Sequence, residues 1–180
     1  MIKSYSKINL FLRVLKKNSD RLHDLQSSVM LLDLYDEINI KKIISKQDKI
    51  KFIGQFKKNV NTKNNSITRS LVILRKYGLI NRKNRYKIVI NKKIPVFAGL
   101  GGGTSNAFFL IKYFLKNEIN EKLIKKFEKE IGSDFRLFLY KQSFQKNLKK
   151  ILKFKKRYTF NFILVYPNIN CSTKLIFTKV

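Results

Sequence analysis

Pro95-Val96-Phe97-Ala98-Gly99-Leu100-Gly101-Gly102-Gly103-Thr104-Ser105-Asn106-Ala107 is the stretch whose reading decides the fold. Glycines at 99, 101, 102 and 103 allow backbone conformations closed to other residues, and their missing side chains let main-chain N–H groups touch a ligand. Thr104, Ser105 and Asn106 are helix-capping types, and residues 107–115 are apolar enough for a buried helix. A glycine loop that feeds a helix N-terminus pairs free N–H donors with the positive end of the helix dipole, which suits the phosphates of a nucleotide. No Lys-Ser/Thr follows the last glycine, and the spacing is not Gly-x-Gly-x-x-Gly, so neither the Walker loop nor the dinucleotide fingerprint is present. A tight connection between strand and helix is the alternative use of such a run.

Outward from the loop, residues 86–90 read as a strand leading into it. Toward the N-terminus, Ile8, Leu10, Leu12 and Val14 alternate with Asn9, Phe11 and Arg13, the period of a two-faced strand, and further strands are expected at 37–43 and 49–53. Ile67, Leu71 and Leu74 recur at helical spacing after Asn65-Ser66, with Tyr77-Gly78 as the stop. A third helix is expected at 120–131, with Leu123, Ile124 and Phe127 inward and Gly132 as its end. Residues 135–140 and 158–166, rich in aromatics, read as strands. Strands in front, helices later and no strict alternation give an α+β fold. There is no internal repeat.

The 180 residues are 44% apolar and 13% aromatic, enough for one good core or one core plus part of a second. No apolar run approaches the length of a membrane span, and the start of the chain lacks a signal core, which leaves the cytoplasm as the expected compartment. One cysteine, Cys171, excludes a disulfide framework, and one histidine, His23, argues against zinc. A formal charge of +29 invites a nucleic-acid reading, but the lysines are scattered among asparagines and isoleucines, and no nucleic-acid module accompanies the dense cluster at 146–156. Nucleic acid is therefore not the expected partner. A phosphate-rich small ligand benefits from the same field.

Phosphoryl transfer needs a positioned hydroxyl, charge to offset the phosphates and a carboxylate to take the proton. Lys7, in Ser-Lys-Ile-Asn, and Asp134, in Ile-Gly-Ser-Asp, are candidates, although each also reads as an ordinary solvated lysine or a cap.

Taken together, residues 6–12 (Ser-Lys-Ile-Asn-Leu-Phe-Leu), 20–23 (Asp-Arg-Leu-His), 95–107 and 131–134 (Ile-Gly-Ser-Asp) resemble, in order and spacing, the GHMP-superfamily small-molecule kinases. Within these the match is to the 4-diphosphocytidyl-2-C-methyl-D-erythritol kinase family. The resemblance implies the GHMP N-terminal ATP-binding domain, a fold shared with some ribosomal proteins, over residues 1–145, and the beginning of a C-terminal domain over 146–180. It implies ATP and Mg2+ as cofactors and a cytidine-diphospho-methylerythritol acceptor in the non-mevalonate route to isoprenoid precursors. Asp134 matches the family's catalytic aspartate and Lys7 the lysine beside it. Residues 95–105 match the ATP-phosphate loop, with Thr104 or Ser105 as contacts to Mg2+ or phosphate and Asn65 near the adenine. His23 matches the residue that reads the cytosine edge, Asn9 a substrate-contacting asparagine, and Phe177 an aromatic that stacks on cytosine.

The chain also departs from the family pattern. Arg21-Leu22 stands where Gly-Tyr usually precedes the histidine, which removes a stacking face of about 1–3 kcal/mol. Phe135-Arg136 replaces Val-Pro, and residues 142–150 carry no glycine. A nucleotide-binding form without turnover and a basic RNA-associated domain remain as alternatives to a working kinase.

Overall fold

A computed structural model describes residues 1–17, 23–147, 150–154, 156 and 158–167. Two long strands, β1 (Ile2–Lys17) and β2 (His23–Ile43), form an antiparallel hairpin that is the spine of the molecule. β3 (Lys49–Ile53), β4 (Arg85–Asn91), β5 (Gln142–Gln145) and β6 (Ile151–Lys153) complete a six-stranded sheet of order β3-β4-β2-β5-β6, with β1 also paired to β2. β3 and β4 run parallel, and the crossover between them carries α1 (Ser66–Lys76). α2 (Gly102–Phe114) follows the glycine loop, and α3 (Glu121–Ile131) leads into a 3-10 helix at Ser133–Leu139.

The core lies between the sheet and the helices. Ile38 pairs with Ile90 and Ile40 with Ile88 across β2 and β4, and Ile38, Ile88 and Ile90 are fully buried under Leu71 and Leu74 of α1 and Phe108 and Ile111 of α2. The opposite face is solvated. There Lys41, Lys87 and Lys49 stand opposite one another across three strands, so part of the positive charge is simply the wet side of the sheet.

The α+β class and the three helices agree with the sequence. Asn65 and Asn120 cap α1 and α3 as the local signals require, each accepting hydrogen bonds from first-turn N–H groups. Three readings change. α2 starts at Gly102, inside the glycines, because Gly101 in the left-handed conformation (φ 69°) is the N-cap and needs no capping side chain. Residues 135–140 are not a strand: the 3-10 repeat sets Phe135 and Phe138 on the same side, where both are buried against Phe108. Residues 158–166 join no ladder among the described residues; they are extended chain with Tyr158 and Phe160 half exposed. The strand-like composition was there, but a strand needs a neighbour to accept its hydrogen bonds. β5 and β6, of four and three residues, are too short to show a periodicity in the sequence. Among the described residues no helix is long and apolar enough to cross a membrane.

Candidate active site

The glycine loop is fastened to β1. Lys7 N–H donates to the Leu100 carbonyl at 2.9 Å, and a Cβ on Gly101 would lie 3.0 Å from Lys7 Cγ and 3.0 Å from the Phe138 ring. Gly99 (φ 72°) and Gly101 hold conformations that favour glycine, and together they turn the chain so that α2 begins at the loop's end. The first hydrogen bond of the helix runs from Ser105 N–H to Gly101 C=O at 2.9 Å. The N–H groups of Gly102, Gly103 and Thr104 precede it and have no helical acceptor, which is the arrangement that binds anions.

The capping-type residues have other duties. Ser105 is fully buried; its hydroxyl donates to the Tyr5 carbonyl at 2.5 Å and lies 2.8 Å from Ser4 Oγ, which donates to Asn106 Oδ1 at 2.7 Å. These bonds tie α2 to β1. Of the two hydroxyls named for a metal or phosphate contact, Ser105 is therefore engaged inside the protein, and Thr104 is the one on the partly exposed side.

Asp134 enters from the far end of the chain. Gly132 (φ 142°) breaks α3, and the turn that follows sets the Asp134 carboxylate 3.6 Å from Lys7 Nζ. The two partners differ in setting: the Lys7 side chain is 8% exposed and that of Asp134 45%. A single 3.6 Å contact to a half-exposed carboxylate contributes little to stability. Lys7 Nζ is held instead by Asn9 Oδ1 at 2.5 Å, and Asn9 Nδ2 donates to Ser27 Oγ at 2.6 Å, whose hydroxyl donates to the Phe11 carbonyl at 2.7 Å. This relay fixes the lysine from behind and leaves the carboxylate with no hydrogen bond among the described residues. Next to Asp134, Arg136 forms a two-point bond to Glu128 (2.7 and 2.9 Å) and reaches Glu121 at 2.7 Å. The Glu128 hydrogen bond pushes its guanidinium further up, and the pairing anchors the turn to α3.

Lys7, Asn9, Asp134 and the loop thus converge. Asn65 does not join them as a free group: its Oδ1 accepts from Ile67 and Thr68 N–H, and its Nδ2 donates to the Asn61 and Thr62 carbonyls, so the amide is saturated by the α1 cap. His23 is the first residue of β2, opposite Lys17 at the end of the hairpin where the chain passes from β1 to β2. Phe177, Arg21 and Leu22 lie outside the described residues. Sequence reasoning missed Ser27, which orients Asn9, and Phe138, which packs on Gly101. Neither carries a local signal, since both act through contacts distant in the chain.

The chain is 42% identical to a 4-diphosphocytidyl-2-C-methyl-D-erythritol kinase of Pelagibacter ubique, over 99% of this chain and 64% of that protein. It is 33% identical to the kinase of the same name from Ureaplasma parvum, over 99% of this chain and 68% of that one. The chain therefore spans about two thirds of the relatives it matches. Among solved structures, a 4-(cytidine 5'-diphospho)-2C-methyl-D-erythritol kinase superposes with a TM-score of 0.57 at 22% identity, over 79% of this chain and 50% of that one. A mevalonate kinase superposes with a TM-score of 0.58 at 22% identity, over 86% and 55%. No protein-family model matches the chain.

Proposed function

From the premise that the chain belongs to the 4-diphosphocytidyl-2-C-methyl-D-erythritol kinase family of GHMP kinases, we propose that it transfers the γ-phosphoryl group of ATP to a hydroxyl of that cytidine-diphospho substrate, in the cytoplasm. The observation that carries the reading is the meeting of Lys7, Asp134 and Gly101, drawn from three distant parts of the chain. The acceptor oxygen forms a bond to the γ-phosphorus, the bond from that phosphorus to the β–γ bridging oxygen breaks, ADP leaves, and the hydroxyl proton passes to Asp134. Asp134 is suited to this because it is accessible and not consumed by internal hydrogen bonds. Lys7, held by Asn9, supplies positive charge beside both the carboxylate and the phosphates.

The N–H groups of Gly102, Gly103 and Thr104 would receive the phosphates. Mg2+ would enter with the nucleotide as MgATP, held mainly by its phosphates, and the Thr104 hydroxyl is the oxygen that the loop would offer it. His23 lies six residues along β2 from Val29, the partner of Asn9, a separation of about 20 Å at strand rise. That spacing supports an acceptor with a base at one end of a diphosphate and its reacting hydroxyl at the other. Residues 1–145 are the ATP-binding domain in this reading, and β6, paired with β5, carries its sheet a few residues past that bound before the chain leads on.

An ADP-release assay with MgATP and the cytidine-diphospho substrate tests the proposal. Turnover is expected from the natural sequence, and Asp134→Asn should lower it about 10²–10⁴-fold while MgATP affinity is retained. Absence of turnover in both, or equal turnover in both, overturns it.

A further inference from the structure

Beneath the glycine loop lies a charge pair that the phosphoryl step does not use. Asp36 of β2 is fully buried and Lys92, directly after β4, is 3% exposed. Asp36 Oδ2 accepts from the Lys92 amine, while Oδ1 accepts the N–H of Lys93 at 2.8 Å and of Ile94 at 2.9 Å. One carboxylate thus staples residues 92–94. That strap is the floor of α2's first turn: a Cβ on Gly102 would lie 3.1 Å from Ile94 Cγ2 and 3.5 Å from Lys92 Nζ.

A carboxylate is an effective staple because two N–H groups can share one ionised oxygen. Unaccompanied, it would also set a buried negative charge under the turn that is to receive an anion, and in a low-dielectric interior that repulsion is poorly screened. We propose that Asp36 and Lys92 are positioning residues for the phosphate-binding loop. Asp36 fixes the strap on which Gly102 rests, and Lys92 cancels the carboxylate so that a nucleotide phosphate can be held above it. The inference rests on reading the loop as the nucleotide site.

The test is MgATP and ADP affinity by calorimetric titration, with melting temperature measured in parallel, for Lys92→Met, Asp36→Asn and the double variant. Asn keeps the oxygen that accepts from Lys93 and Ile94, and Met keeps most of the lysine's bulk, so charge is the main change. Lys92→Met should weaken nucleotide binding about tenfold, because the carboxylate is left alone beneath the phosphates. Asp36→Asn should cost less. The double variant should recover most of the affinity lost in Lys92→Met, whereas a purely structural role predicts that the double variant binds no better than the single one. Should Lys92→Met not fold, Lys92→Gln, which keeps a donor for Asp36, carries the same comparison. A folded Lys92 variant with unchanged affinity, or a double variant without rescue, overturns the inference while leaving the kinase reading intact. A natural sequence that binds neither nucleotide overturns both.

Discussion

Replacing Gly101 with alanine perturbs the point where fold and proposed chemistry touch. Gly101 sits at φ 69°, and a residue with a Cβ pays about 1–2 kcal/mol there. The new methyl would stand 3.0 Å from Lys7 Cγ, 3.0 Å from Phe138 Cζ and 3.3 Å from Lys7 Cε. Phe138 is 3% exposed and wedged against Phe108 and Phe109, so the lysine is the side that yields. Adding the conformational cost to a modest overpacking cost gives a loss of roughly 2–4 kcal/mol, or a fall in melting temperature of about 4–16 °C for a chain of this size. Displacement of Lys7 should also pull its amine from Asn9 and Asp134, so turnover should drop further than the stability loss alone explains. Gly103→Ala is the control: nothing lies within 4 Å of its Cβ, and alanine in the first turn of α2 should leave stability unchanged or raise it by about 0.5–1 kcal/mol. Calorimetric melting of both variants decides. Equal losses in the two, or a Gly101→Ala protein that melts like the natural one, would refute the packing argument.

At Gly54 the obstacle is backbone, so Gly54→Ala (φ 90°, with a Cβ 2.7 Å from Lys92 O and 2.8 Å from Lys92 N) should lose roughly 2–5 kcal/mol in urea unfolding. A loss below about 1 kcal/mol would show that the β3 end can shift. On the surface, Glu130 accepts from Lys76 at 2.6 Å and from the Tyr77 hydroxyl at 3.1 Å, and the Lys76 hydrogen bond holds its carboxyl below the ordinary 4.5. Its stabilising contribution is therefore present above pH 4.5 and lost as pH falls through the lowered folded-state value. Glu130→Gln should flatten the acid limb of melting temperature against pH at low salt, and superimposable limbs would contradict the assignment.

Much of the local architecture was legible because local chemistry causes it. Asn65-Ser66 and Asn120 announce helix starts by offering side-chain oxygens to orphan N–H groups, and β3 appears at residues 49–53 as its composition implies. The reading failed where composition is ambiguous without a partner. Aromatics at 135–140 and 158–166 suit a strand, but the first set wedges between α2 and α3 in a 3-10 turn and the second meets no ladder among the described residues. Ser105 looked like a loop hydroxyl; only the approach of β1, with Ser4 and Tyr5, turns it inward.

By itself the sequence determined the glycine loop, the helix after it and the α+β class, since backbone freedom, capping and periodicity are properties of neighbours along the chain. Tertiary structure decided which charges meet. Such an encounter is not written in any short segment: Lys7 reaches Asp134 only because the β1–β2 hairpin carries it beneath Gly101 while Gly132 ends α3 and turns the carboxylate back. Asp36 likewise finds Lys92 through the pairing of β2 with β4. Those approaches come from burying one shared core, a long-range demand that no short window of residues can express.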